Sequence, residues 1–218
     1  SIFKTKVFNA NDSISELFVQ VNMNALALVS GKSKEEALKT YVFDYSLVNG
    51  LKEKEVLQVG RINLMGSPDQ SDNYVSFKVL LKTQSKGQYV LFASLENKAS
   101  TKAYTSRTNI LKGVSFTAQN FMLLNQDGSI HWDNFVGEGE KLQLKINDSK
   151  VKEIYISWYA PKFSPAIVPF NPGYPNELKK LQESNEPFKV EMNEGLSIPL
   201  TFKDLGIYLF HVNKNEKR

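Results

Sequence analysis

The chain has 218 residues, 41% hydrophobic and 23% charged, the balance of a globular protein with a real core and not of a disordered one. Its formal net charge is +4, but 27 basic residues are nearly matched by 23 acidic ones, and only Arg61, Arg107 and Arg218 are arginines, so the forks that clamp phosphates and read bases are scarce and nucleic acid is not an expected partner. The absence of cysteine excludes disulfides, thiolate nucleophiles and zinc–sulfur sites, and no apolar run reaches the roughly 18 residues of a membrane helix.

The chain opens at Ser1 without methionine and enters a strand-like run, Ile2 to Phe8, almost at once. That is the appearance of a trimmed chain or of a mature form that has lost its export signal, and a lipid anchor upstream of Ser1 would vanish by the same trimming. A turn at residues 9–13 leads to the partly alternating run 17–23. Residues 38–48 then place Tyr41, Phe43 and Tyr45 on one face, and Asn49-Gly50 turns the chain back towards residues 56–59 as a hairpin. Further strands fit residues 74–81, 88–95 and 104–111. Residues 32–39 are the one helical suspect in this half. Ser33 caps and Glu35-Glu36 suit a helix N-terminus, and a single turn is expected.

Beyond residue 114 strands fit residues 120–124, 130–134, 142–146, 152–158 and 206–214, with two more at 189–192 and 196–202. Pro199 lies inside the last of these, which predicts an edge strand or a broken one. Residues 176–184 have local helical character between Pro175 and Pro187. The two halves share an echo, Gly87-Gln-Tyr89 and Asp204-Leu-Gly206-Ile-Tyr208, each before an apolar run and 119 residues apart. In sandwich folds a tyrosine at the start of the sixth strand bonds back to the loop before it, and the glycine permits the corner. The period of two, the turn signals and the two corners predict an all-β fold of two tandem immunoglobulin-like β-sandwich domains, residues 1–113 and 114–218. The second corner lies ten residues from the end of the chain, so the second sandwich lacks its last strand here or the natural chain continues.

Catalytic constellations are absent from the pattern. His131 and His211 stand 80 residues apart with no ligand spacing around either, which reads as two hydrogen-bonded structural histidines. Asp133, Glu138 and Glu140 surround a Gly-Glu-Gly-Glu turn, where carboxylates are ordinarily solvated and not paired across a cleft. There is no Gly-x-Ser-x-Gly elbow and no phosphate-binding glycine loop. Aromatic residues gather with five of the eight prolines between residues 120 and 175. Trp132, Trp158, Tyr159, Phe163, Phe170 and Tyr174 are the candidate interaction surface, either as a rigid apolar platform for a protein or as sugar-stacking rings. The alternative is that Trp158 fills the sandwich core and the prolines stiffen a loop over a sheet edge.

Trp158-Tyr-Ala-Pro-Lys-Phe-Ser-Pro-Ala-Ile-Val-Pro-Phe170 resembles the N-terminal region of bacterial GWxTD-domain-containing proteins. There a strand ending in an aromatic residue is followed by a Pro-Ala-x-x-Pro-Phe loop, a second Pro-Phe stretch and a G-x-Y-x-F strand. Pro165-Ala166 with Pro169-Phe170, then Pro187-Phe188, then Gly206-Ile-Tyr208-Leu-Phe210 match in that order. The Gly-Trp-x-Thr-Asp motif itself does not occur in the chain. The resemblance implies export to the bacterial envelope, often as a lipoprotein, with the signature domain beyond Arg218. It implies no reaction and assigns no functional residue.

The sequence therefore predicts a non-enzymatic module without cofactor or metal, periplasmic or outer-membrane-associated, that engages a protein partner or its own missing C-terminal domain. The alternative is a carbohydrate-binding module using exposed aromatics, with a glycan as the ligand.

Overall fold

In a computed structural model, which describes residues 1–64, 73–114, 117–133, 135–159, 187–204 and 206–212, the chain is all-β, built of antiparallel sheets with two short helices. It divides into two compact units, Ser1–Phe121 and Met122–Arg218.

The first unit contains β1 (Phe3–Phe8), β2 (Ile14–Asn22), α1 (Met23–Ser30), α2 (Lys34–Thr40), β3 (Tyr41–Asn49), β4 (Lys52–Asn63), β5 (Tyr74–Lys82), β6 (Gly87–Asn97) and β7 (Ala103–Lys112). One sheet has the order β1-β2-β5 and the other β4-β3-β6-β7. Strict alternation sorts the side chains: along β2, Leu17, Val19 and Val21 are fully buried while their neighbours are half-exposed. Leu17, Val19 and Val21 from one sheet meet Phe43, Leu47, Leu91, Leu95 and Ile110 from the other in a single core. Each such side chain taken out of water contributes about 1.5–3 kcal/mol before conformational entropy is charged against it.

Two helices stand where a single turn is expected. Asn22 ends β2 and accepts a hydrogen bond from Ala25 N at 3.0 Å, which caps α1, and Gly31 at φ +64° stops it. Ser33 then caps α2 by accepting from Glu36 N at 3.3 Å, with Glu35 and Glu36 in the first turn. Both helices persist because Leu26, Ala37 and Leu38 are buried in the core between the sheets.

Polar side chains close the open sides of this sandwich. The Gln58 amide donates to Leu80 O at 3.0 Å and accepts from Lys82 N at 2.9 Å, so one side chain on β4 does for β5 what a neighbouring strand would do. Asn9, 2% exposed, donates to Leu111 O and Asn120 Oδ1, both at 2.9 Å, and accepts from Ser15 Oγ at 2.8 Å. Those bonds, with Leu111 N donating to Gln119 Oε1 at 3.0 Å, hold the 3-10 turn Ala118–Asn120 to β7 and to the end of β1.

Lys112 is 5% exposed, and its ammonium donates to the carbonyls of Asn11 and Ile14. Burial lowers its pKa from the usual 10.5, and Asp12 opposes that shift. The unfolded chain therefore holds the proton more tightly than the folded one. The penalty is complete below the folded pKa and is relieved as pH rises through it towards 10.5. Urea titrations at pH 7 and pH 10 should show the wild type gaining stability relative to Lys112→Met at the higher pH. A gap that stays constant would show that the ammonium is not penalised.

The second unit contains β8 (Phe121–Asn125), β9 (Lys141–Ile146), β10 (Glu153–Tyr159), β11 (Phe188–Asn193), β12 (Leu196–Ser197), β13 (Leu200–Thr201) and β14 (Ile207–His211). β9 pairs with β8 and β13, β10 pairs with β11 and β14, and β12 joins the two sets by pairing with both β11 and β9. Leu142, Leu144, Ile146, Ile154, Ile156, Val190 and Met192 are buried. The expected break at Pro199 occurs: β12 and β13 are separated by Ile198-Pro199.

The strand expected over residues 130–134 is reduced to one bridge, Leu124 to Ile130. The cause is local. His131 Nδ1 bonds to Asn125 Oδ1 at 3.1 Å and His131 Nε2 to Phe135 O at 2.9 Å, so the ring holds the chain in a compact turn. The helical expectation for residues 176–184 lies outside the described residues.

Candidate functional site

Of the six aromatic residues singled out in the sequence, Phe163, Phe170 and Tyr174 lie outside the described residues. Trp132, Trp158 and Tyr159 are half-buried. Trp132 follows the Leu124–Ile130 bridge, and Trp158 and Tyr159 end β10. Consecutive strand residues point to opposite faces, so Trp158 and Tyr159 do not form one stacking platform. The Trp158 indole lies on the backbone of Gly206, where a Cβ would sit 2.2 Å from its Nε1.

Both corner tyrosines bond back as their positions predict. Tyr89 Oη accepts from Gln84 N at 2.8 Å, and Tyr208 Oη donates to Asp204 O at 2.8 Å. The glycines differ in their reason. Gly87 takes φ +148° beneath the ring of Tyr89, whereas Gly206 is required by Trp158 and by the Tyr159 carbonyl.

The carboxylate cluster does not converge on a cleft. Glu140 Oε2 accepts from Gly137 N at 2.8 Å and Oε1 stands 3.4 Å from His131 Nδ1, so this carboxylate holds its own turn. Among the described residues no group of His, Asp and Glu has the arrangement to hold a metal ion.

The more developed surface is one that the sequence reading missed: the outer face of the β4-β3-β6-β7 sheet. It forms there because register aligns outward residues from four strands. One row runs Arg61, Asp44, Ser94, Thr105, and the next runs Val59, Ser46, Phe92, Arg107. All of these residues except Arg107 line a groove of about 610 Å³.

Arg61 forks onto Asp44, with Nε to Oδ1 at 2.6 Å and Nη2 to Oδ2 at 2.8 Å. Glu96 adds a carboxylate oxygen 3.8 Å from Nη2. The hydrogen bond to Asp44, and then its charge, raises the Arg61 pKa further above a value already out of physiological reach. In the second row the guanidinium of Arg107 lies 5.8 Å from the centroid of the Phe92 ring. Phe92 is 44% exposed and Val59 68%.

The groove thus combines exposed Val59 and Phe92 with a neutralised ion pair, and Arg107 lies beside it against the Phe92 ring. Ser46, Ser94 and Thr105 supply hydroxyls but have no histidine beside them in the groove. That set offers apolar contact, hydroxyls and paired charge to whatever lies against it.

The sequence matches no protein-family model and no curated protein. Among the described residues no helix is long and apolar enough to cross a membrane.

Proposed function

We propose that the chain is a non-enzymatic module of two immunoglobulin-like sandwiches that binds a protein partner through the outer face of the β4-β3-β6-β7 sheet. The observation that carries this reading is the pairing of exposed Phe92 and Val59 with Arg107 beside a neutralised Arg61–Asp44 pair. Aromatic residues and arginine are the side chains that dominate protein interfaces, and a rigid sheet presents them at little entropic cost. The immunoglobulin-like reading is supported by the strand order β1-β2-β5 facing β4-β3-β6-β7. The second unit supports it too, with β8-β9-β13 and β11-β10-β14 and the two tyrosine corners. A place in the bacterial envelope is supported by the resemblance to GWxTD-domain proteins across residues 158–170 and the motifs after it.

The test is a direct comparison of ligand classes. Extended peptides carrying an acidic residue next to an apolar one, and a glycan array, are offered to the wild type and to the variants Phe92→Ala and Arg107→Glu. Peptide binding should fall about ten-fold or more in either variant, the loss of a hot spot worth over 1 kcal/mol, while the melting temperature is retained. Glycan binding without peptide binding would establish the carbohydrate-binding alternative, and wild-type affinity in both variants would move the site off this face.

A further inference from the structure

The groove and its rim carry charge of both signs in balance. Arg61 and Arg107 stand against Asp44 and Glu96. Pairing within the chain uses up only half of that charge. Asp44 holds Arg61 in a fork, whereas Glu96 reaches the same guanidinium only at 3.8 Å, accepts from Ser94 Oγ at 3.1 Å and keeps its side chain 44% exposed. Among the described residues Arg107 lies against the Phe92 ring and meets no carboxylate. The face is thus left with one surplus cation and one surplus anion.

Register sets the distance between them. Arg107 pairs with Phe92, and Glu96 lies four residues further along β6. Four residues are two full pleats, so both side chains leave the same face, about 14 Å apart along the strand. Midway between them is the Ser94–Thr105 pair.

A partner of a single charge sign would gain at one of these groups and lose at the other. A partner that carries the same two charges at the same separation, turned end for end, gains at both. We propose that the partner of this face is a second copy of the chain, packed sheet to sheet about a two-fold axis that crosses the strands near Ser94 and Thr105. The inference rests on the reading of this face as the binding surface and names what it binds. Such an interface is isologous, so Arg107 of each copy meets Glu96 of the other, and one complementarity counts twice. Phe92 and Val59, 44% and 68% exposed, supply the apolar contact between the charged ends.

Size fixes the kind of dimer. Four strands about 4.8 Å apart and four rows about 7 Å apart give roughly 500 Å² in projection on each copy. The pair then buries about 1,000 Å², in the range of transient complexes and short of a permanent dimer. The association is reversible.

The test is sedimentation velocity on the full chain from about 5 to 500 μM, the span in which a contact of that size dissociates, with melting temperatures to establish that each variant folds. The wild type should pass from monomer to dimer as concentration rises. Arg107→Glu alone and Glu96→Arg alone each bring like charges face to face, and each should weaken dimerisation at least ten-fold. A 1:1 mixture of the two variants should restore it, because both contacts again join opposite charges. A wild type that stays monomeric throughout would overturn the inference, while peptide binding that falls in Phe92→Ala would still uphold the function proposed above. A dimer indifferent to both substitutions would place the contact elsewhere and overturn it equally. Folded variants whose mixture associates no better than either alone would do the same.

Discussion

Replacing Phe43 by alanine should remove about 3–5 kcal/mol from the stability of the first unit. Phe43 is fully buried near the start of β3, and its ring meets Phe3 edge-on at 6.1 Å and Phe77 edge-on at 5.3 Å. It also stacks on Tyr45 at 6.4 Å. Truncation removes the transfer energy of the ring, loses three aromatic contacts and leaves a cavity between two sheets that already hold each other apart. Three aromatic rings at fixed positions cannot close that space without leaving their rotamers. The check is urea unfolding followed by far-ultraviolet circular dichroism. A loss below about 1 kcal/mol would mean that the sheets collapse onto the gap and that the packing is looser than described.

Gly206→Ala should destabilise the second unit by about 1–3 kcal/mol. The added carbon would lie 2.2 Å from Trp158 Nε1 and 2.6 Å from Tyr159 O. The indole can tilt, but the carbonyl belongs to β10, where Tyr159 pairs with Ile207, so relief at one atom strains the ladder. Both tryptophans of the chain, Trp132 and Trp158, belong to this unit, and tryptophan emission therefore follows its unfolding and not that of the first unit. The midpoint read by fluorescence should fall, with a shifted emission maximum in the folded state as the indole is displaced. A wild-type midpoint would show that the corner absorbs a methyl group, and the glycine in the Gly-x-Tyr echo would need another explanation.

The strands of the first unit were legible because one face of each is buried and the other is not, which writes burial into the sequence with a period of two. β2 shows this most plainly. The same reading hid α1. Met23 to Ser30 is mostly apolar and runs straight on from a strand, and the decisive signals are the two ends, Asn22 as cap and Gly31 as stop. α2 was seen at its correct start and judged too short to persist, because propensity does not report that Ala37 and Leu38 reach the core. His131 was legible as structural, but its bonds to Asn125 and Phe135, which turn the chain out of a strand, depend on folded geometry.

The groove was not legible at all. Asp44, Val59, Phe92 and Arg107 are far apart in the chain and become neighbours only through register, which no local pattern specifies. Sequence inspection favoured aromatic clusters close together along the chain, and so went to Trp132 and residues 158–174 instead of to one ring backed by an arginine from the next strand.

The pairing of β2 with β5 bears on how fast the first unit forms. Asn22 sits opposite Tyr74 and Ile14 opposite Lys82, so this ladder closes over the whole stretch containing both helices and the β3–β4 hairpin. The chain entropy of that closure is lost before its contacts can repay it. Hairpins of this kind form in about 1–10 μs, whereas sandwiches governed by distant pairings fold in roughly milliseconds to seconds. The β2–β5 ladder, like the distant β3–β6 ladder, is therefore expected to close after the local hairpins, and until both close the apolar strands of the first unit are exposed to other molecules.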